Sequence, residues 1–308
     1  MSELNELWVF YRSDVEKNPS IIAHKNILHK KIRNITVKDY YTPRTEQDEA
    51  VMKNKIADKE LSALYNKRTK YIKQYTAKKE LAPELAAKVP EKLRTTLNAA
   101  FCKAFEIIYT NGTPLIDKTY NKKNAEQQYQ INRFAYEVRQ NKKFLRAFSR
   151  QSNTSNSINL LISGVEGIGL GLVGCGIPDI PLLTAVILRS LYEISTNFGY
   201  DYTKPEEQLY QLLIIRGAMS YGDNLKECFD QLDAYTQAVV IPSEDAIKEQ
   251  IKASASSLAD EMLFLKFVQG IPIVGVIGGI SDTVFLHRIQ RFAKLNYQYR
   301  LLKQYSDN

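Results

Sequence analysis

The stretch SINLLISGVEGIGLGLVGCGIPDIPLLTAVILRSLYEISTNFGYD, Ser157–Asp201, holds seven of the chain's fourteen glycines, six of them between Gly164 and Gly176. Gly164, Gly167, Gly171 and Gly174 are spaced 3, 4 and 3 apart, so on a helix they line one stripe that lets another backbone come close. A glycine inside a helix costs about 1 kcal/mol relative to alanine. Four on one face therefore imply either a tightly packed partner or a segment that is not regular helix. A partner is at hand in Gly270–Gly279, where four more glycines fall in an apolar run and Gly275 and Gly279 stand four apart. Two glycine-rich helical hairpins packed centrally are the resulting expectation. Just beyond the first, Pro178 and Pro181 open a helix with Leu182, Leu183, Val186, Ile187, Leu191 and Ile194 inward, and Phe198-Gly199 closes it.

Outward from that stretch the apolar period stays helical. Glu91–Gly112 places Leu93, Leu97, Ala100, Phe101, Ala104, Phe105 and Ile108 on one face, with Asn111-Gly112 as a left-handed stop. Pro205–Met219, Asp223–Val240 and Ser243–Gln269 read as further helices, and Val239–Ile241 is the one short β-like run. The expected fold is all-α, a multi-helix assembly with little or no strand. Residues 1–48 read as an N-terminal extension and residues 49–308 as one helical domain, with core segments at 157–201 and 264–303.

Charge is uneven along the chain. Residues 1–150 carry 30 Lys+Arg against 17 Asp+Glu, a balance of +13, and the remainder carries −5. The basic half suits an anionic neighbour. Within it, Glu49–Lys79 reads as a long basic amphipathic helix with Val51, Ile56, Leu61, Leu64, Tyr65, Ile72 and Tyr75 inward. Lys67, Arg68, Lys70, Lys73, Lys78 and Lys79 would then meet an anionic membrane surface; the alternative is a solvated face. The basic half carries no named nucleic-acid motif, which places nucleic acid last among the partner classes. The N-terminal residues lack the parts of a secretory signal, and Cys102, Cys175 and Cys228 are odd in number and far apart. A cytoplasmic protein peripheral to the inner membrane is expected.

Several chemistries can be weighed from spacing alone. Gly169, Gly171 and Gly174 satisfy the dinucleotide pattern G-x-G-x-x-G, with Glu193 about 20 residues on. Pro178 and Pro181 would break the helix that must carry the phosphate site, and no Gly-Lys-Ser/Thr follows, so no cofactor is expected. The five-residue offset of His24 and His29 turns them to different sides of a helix, and no metal is expected. Ile158–Pro178 is long enough to span a bilayer but is diluted by glycine, so a buried hairpin, an interfacial hairpin and a span all stay open. Arg189 lies in an otherwise apolar helix and needs a partner, for which Asp179, Glu166 and Asp282 are candidates. That cluster is either a structural ion pair or a polar site. If the protein is an enzyme, the reading is a hydrolase using Asp179, Asp282 and His287 around Arg189.

GIPDIPLLTAVILRSLYEISTNFGYDYTKPEEQL (Gly176–Leu209) resembles the central signature of the EcsC family, GIPIVGVIGGISDTVFLHRIQRFAKLNYQYRLL (Gly270–Leu302) its C-terminal signature, and KVPEKLRTTLNAAF (Lys88–Phe101) its opening segment. Ser281-Asp282 departs from the small residue followed by Asn expected there. The resemblance implies a mostly helical protein without a settled activity, associated with the cytoplasmic face of a bacterial membrane, in a family whose namesake is encoded beside ABC-transporter subunits. It marks Pro178, Asp179, Pro181, Arg189, Gly199, Tyr200, Asp201, Pro272, Gly275, Gly278 and Asp282 as signature positions. Together these readings point to a non-enzymatic accessory that binds lipid or a membrane-protein partner. Its candidate ligand-binding residues are Glu166, Pro178, Asp179, Pro181, Arg189, Tyr200, Asp201 and Asp282.

Overall fold

The computed structural model describes residues 46–76, 90–154, 179–269 and 280–307, and among these every regular element is helical. Contacts divide the chain into Met1–Glu49 and Ala50–Asn308, and the packing below concerns the second unit. The glycine-rich stretches, and with them the expected pairing of two hairpins, lie outside the described residues, as do Glu166, Pro178, Lys78 and Lys79.

Helix α1 (Glu46–Thr76) turns Ala57, Glu60, Leu64, Arg68, Tyr71 and Tyr75 inward, each three or four residues from the next. Of the expected face, Leu64 and Tyr75 are buried and Ile56, Leu61 and Ile72 pack against the core, but Tyr65 does not belong to it. Tyr71 is fully buried and Tyr65 is 46% exposed. The cause is that two members of the stripe are charged, so apolar residues alone do not trace it. Glu60 accepts from Nε and Nη2 of Arg146 at 2.7 Å each. The placing of Arg68 on a membrane-facing surface is corrected for the same reason: its guanidinium is buried and forks onto Asp233 at 2.5 and 2.9 Å.

Helix α2 (Glu91–Ile107) buries Leu97, Ala100, Phe101, Ala104 and Phe105, as its period predicts. It does not stop at Gly112. The chain winds through a π turn, Ile108–Gly112, straight into α3 (Thr113–Asp117), and Gly112 is right-handed at φ −86°. Asn121 caps α4 (Lys122–Arg139) by accepting from the Asn124 N–H at 2.9 Å. Asn141 does the same for α5 (Lys142–Leu145), and α6 (Ala147–Thr154) follows.

Helix α7 (Asp179–Asn197) closes as expected at Gly199, which sits at φ +84°. The Gly199 N–H donates to Thr196 O and the Tyr200 N–H to Ser195 O, both at 3.0 Å, which is the Schellman arrangement. A Cβ at Gly199 would fall 2.2 Å from the Tyr129 ring. Gly199→Ala therefore combines a left-handed backbone cost of about 1–2 kcal/mol with a clash. We expect a lower urea midpoint with an unchanged slope; an unchanged midpoint would contradict this turn geometry.

Helix α8 (Pro205–Met219) is buried on nearly all sides and packs against α9 (Gly222–Gln237), α10 (Glu244–Gln269) and α11 (Ile280–Asp307). Helix α7 packs on α11, α2 and α4, and α10 on α2. Helices α1 and α11 run antiparallel through paired side chains, with Asp58 meeting Ser306, Tyr65 meeting Tyr299 and Gln74 meeting Arg291. Val239–Ile241 forms no strand; it is an exposed connection between α9 and α10. No described helix is long and apolar enough to cross a membrane.

Candidate functional site

Helix α11 carries two kinds of basic residue. Arg288 and Arg300 turn into the core, whereas His287, Arg291, Lys294 and Gln298 recur at three- and four-residue spacing and share an outer face. That outer face lines an open pocket of about 290 Å³, completed by Lys67 from α1 and Ser149 from α6. Leu295 supplies apolar wall. None of the described lining side chains is a carboxylate.

The cations are held rather than free to splay. Arg291 Nη1 donates to Gln74 Oε1 at 3.0 Å, and its guanidinium lies 5.2 Å from the Tyr71 ring centre. Gln290, also lining the pocket, donates from Nε2 to Ser190 Oγ on α7 at 2.9 Å. Burial pushes the Lys294 ammonium down to about 8, with Glu193 on α7 pulling the other way. Chemically, the arrangement is a concave donor surface with a positive field and a partly desolvated ammonium.

The inward arginines build a different structure. Arg300 Nη1 donates to Glu207 Oε2 at 2.8 Å, and its guanidinium is sandwiched between Tyr200 and Tyr210 at 3.8 and 4.1 Å. The Tyr297 hydroxyl donates to the other Glu207 oxygen. Burial pushes the Glu207 carboxyl up, against the pull of Arg300. Arg288 Nη1 donates to Glu261 Oε1 at 2.7 Å and its guanidinium packs against Tyr75 and Tyr221, each 4.2 Å away. Arg68 is stacked in the same way, between Phe229 and Tyr299, and also donates to Asn296 Oδ1 at 3.0 Å. Three buried guanidiniums thus each pair with a carboxylate and have two aromatic rings packed against them.

The sequence-derived residues distribute as follows. Arg189 is buried, and among the described residues its partner is Thr119: Nε donates to Oγ1 at 2.8 Å and Nη2 to the carbonyl at 2.9 Å. It therefore ties α7 to the turn after α3. Tyr200 is the lid on Arg300. Asp201 is exposed and accepts from the Thr203 N–H and hydroxyl at 3.0 and 2.7 Å, a turn-forming role. Pro181 is buried in the first turn of α7. The side chains of Asp179 and Asp282 lie outside the described residues. Lys70 and Lys73 are exposed on α1, while Lys67 and His287 open onto the basic pocket. Gln290, Arg291, Lys294 and Gln298 escaped the sequence reading. Their signal was the helical spacing from His287 onward.

The fold and its basic face define an all-helical protein braced by internal arginine–carboxylate pairs. A family model for the EcsC protein family matches residues 54–302, and the chain belongs to that family. The chain is 27% identical over 148 residues to "Protein EcsC" of Bacillus subtilis (strain 168), an overlap covering 46% of this chain and 59% of that relative. It thus matches less than two thirds of that curated relative's length. No solved structure matches.

Proposed function

We propose that the protein is a non-enzymatic accessory at the inner face of the cytoplasmic membrane, with α1 laid against anionic lipid. The observation that carries this is the outer side of α1. Lys55, Lys59, Lys70 and Lys73 are all exposed and fall within about 60° of one another at helical pitch, opposite the buried stripe. From Lys59 to Thr76 the helix has one carboxylate, Glu60, and that is buried beneath Arg146. Each lysine near an anionic leaflet contributes about 1 kcal/mol, an attraction that salt screens within about 8–10 Å. A transporter-associated role, implied by the family resemblance, would add a membrane-protein neighbour to the same placement. Of the residues on which the hydrolase alternative rests, Arg189 commits two donors to Thr119 and His287 opens onto the basic pocket, while the side chains of Asp179 and Asp282 lie outside the described residues.

Vesicle flotation tests the proposal. The protein is expected to float with phosphatidylglycerol-containing vesicles at low salt, to be released as salt rises, and to lose flotation in the Lys59→Glu/Lys70→Glu/Lys73→Glu variant. Equal flotation with neutral vesicles, or indifference to both salt and charge reversal, would overturn it.

A further inference from the structure

We infer that the pocket between α1, α6 and α11 is a discrete binding site for one phosphate monoester group. The inference extends the membrane-surface reading from a diffuse lysine face to a stoichiometric site, and rests on that reading only where the ester is a lipid headgroup. Lys67, Arg291 and Lys294 converge on the pocket with His287 at its edge, and Ser149 and Gln298 add neutral donors. A phosphate monoester brings a charge of about −1.5 to −2 near neutral pH and three terminal acceptor oxygens. A carboxylate would answer only part of that charge, and a phosphodiester has one negative charge and two free oxygens.

The donor geometry agrees. With Nη1 engaged by Gln74 and Tyr71 beneath its plane, Arg291 has a defined orientation and keeps further N–H groups for a planar pair of oxygens. Lys294 adds a point charge to the pocket wall, its ammonium partly desolvated by burial. Among the described residues the pocket lining carries Lys67, Arg291 and Lys294 beside His287 and no carboxylate, and Glu193 on α7 attracts the Lys294 ammonium from outside that lining. A volume of about 290 Å³ admits a phosphate with a small ester substituent and suits a headgroup rather than an extended ligand.

The test uses the full chain with two probes, glycerol 3-phosphate in calorimetric titration and phosphatidic-acid vesicles in flotation. Arg291→Gln and Lys294→Gln are each expected to weaken binding about tenfold, the usual effect of losing one charge-assisted hydrogen bond. The Lys59→Glu/Lys70→Glu/Lys73→Glu variant should still bind glycerol 3-phosphate normally. One-to-one binding of glycerol 3-phosphate that depends on Arg291 and Lys294 supports the site and identifies a soluble ester. Pocket-dependent binding of phosphatidic-acid vesicles alone supports the site and identifies the lipid. If neither probe responds to these variants, the inference is overturned, whatever the phosphatidylglycerol result says of the α1 face. Thermal melts establish that each variant is folded, and Lys67→Gln replaces one that is not.

Discussion

Arg300→Ala is expected to destabilise the protein by about 3–5 kcal/mol, because it strands a fully buried carboxylate whose counter-charge is gone. Glu207 would retain the Tyr297 hydroxyl, but one neutral donor cannot replace a guanidinium. Tyr200 and Tyr210 would also lose the cation between their rings. Urea denaturation reads the loss as a shifted midpoint. The informative comparison is the double variant Arg300→Met/Glu207→Leu, which removes both charges while keeping volume. Its loss should fall well short of the single variant's, since the large term is an unpaired buried charge rather than a missing attraction. A single-variant loss under about 1 kcal/mol would mean that the pair is solvated, contrary to its burial.

Phe292→Ala has a comparable expected cost, about 3–5 kcal/mol, by a different mechanism. The ring is fully buried where three helices meet, 5.5 Å from Tyr71 on α1 and 4.8 Å from Phe229 on α9. On the α8 side it lies so close that a Cβ at Gly217 would come within 2.6 Å of it. Truncation leaves a cavity walled by two more aromatic rings and a glycine backbone, none of which can move in without leaving its other contacts. Phe292→Leu, which keeps most of the volume, should recover the larger part of the stability. Equal losses for the two variants would argue that the site collapses freely.

Helical period was enough to read most of the architecture. The apolar faces expected of α2 and α7 are buried, although α7 also buries Thr184, Arg189, Ser190 and Ser195 on its other sides. The inward face of α1 was read incompletely for a definite reason. Glu60 and Arg68 belong to the inward stripe, and a reading that treats charge as exposure replaces them with neighbours such as Tyr65. The same assumption hid the braces on α11. The π turn at Ile108–Gly112 was invisible because Asn-Gly is a common stop; nothing local in the sequence says that Thr113-Pro114 will carry the winding onward. The pocket was partly legible. His287 and Lys67 were singled out, but His287 was considered with Asp282 instead of with Arg291, Lys294 and Gln298 along its own helix.

The stacked arginines also bear on how the long C-terminal helix finds its position. Helix α11 is nearly without sidedness, since polar and apolar residues alternate around its whole circumference, and apolar packing alone would accept it at several heights. Its polar bonds remove that freedom: Arg288 answers to Glu261 on α10, Asn296 to Arg68 on α1, and Arg300 to Glu207 on α8. A slide of one turn, about 5.4 Å, breaks all three at once and takes two buried guanidiniums from their carboxylates. The helix is thus keyed like a lock with three wards. Discrimination against wrong alignments, more than added stability, is what these costly buried charges contribute.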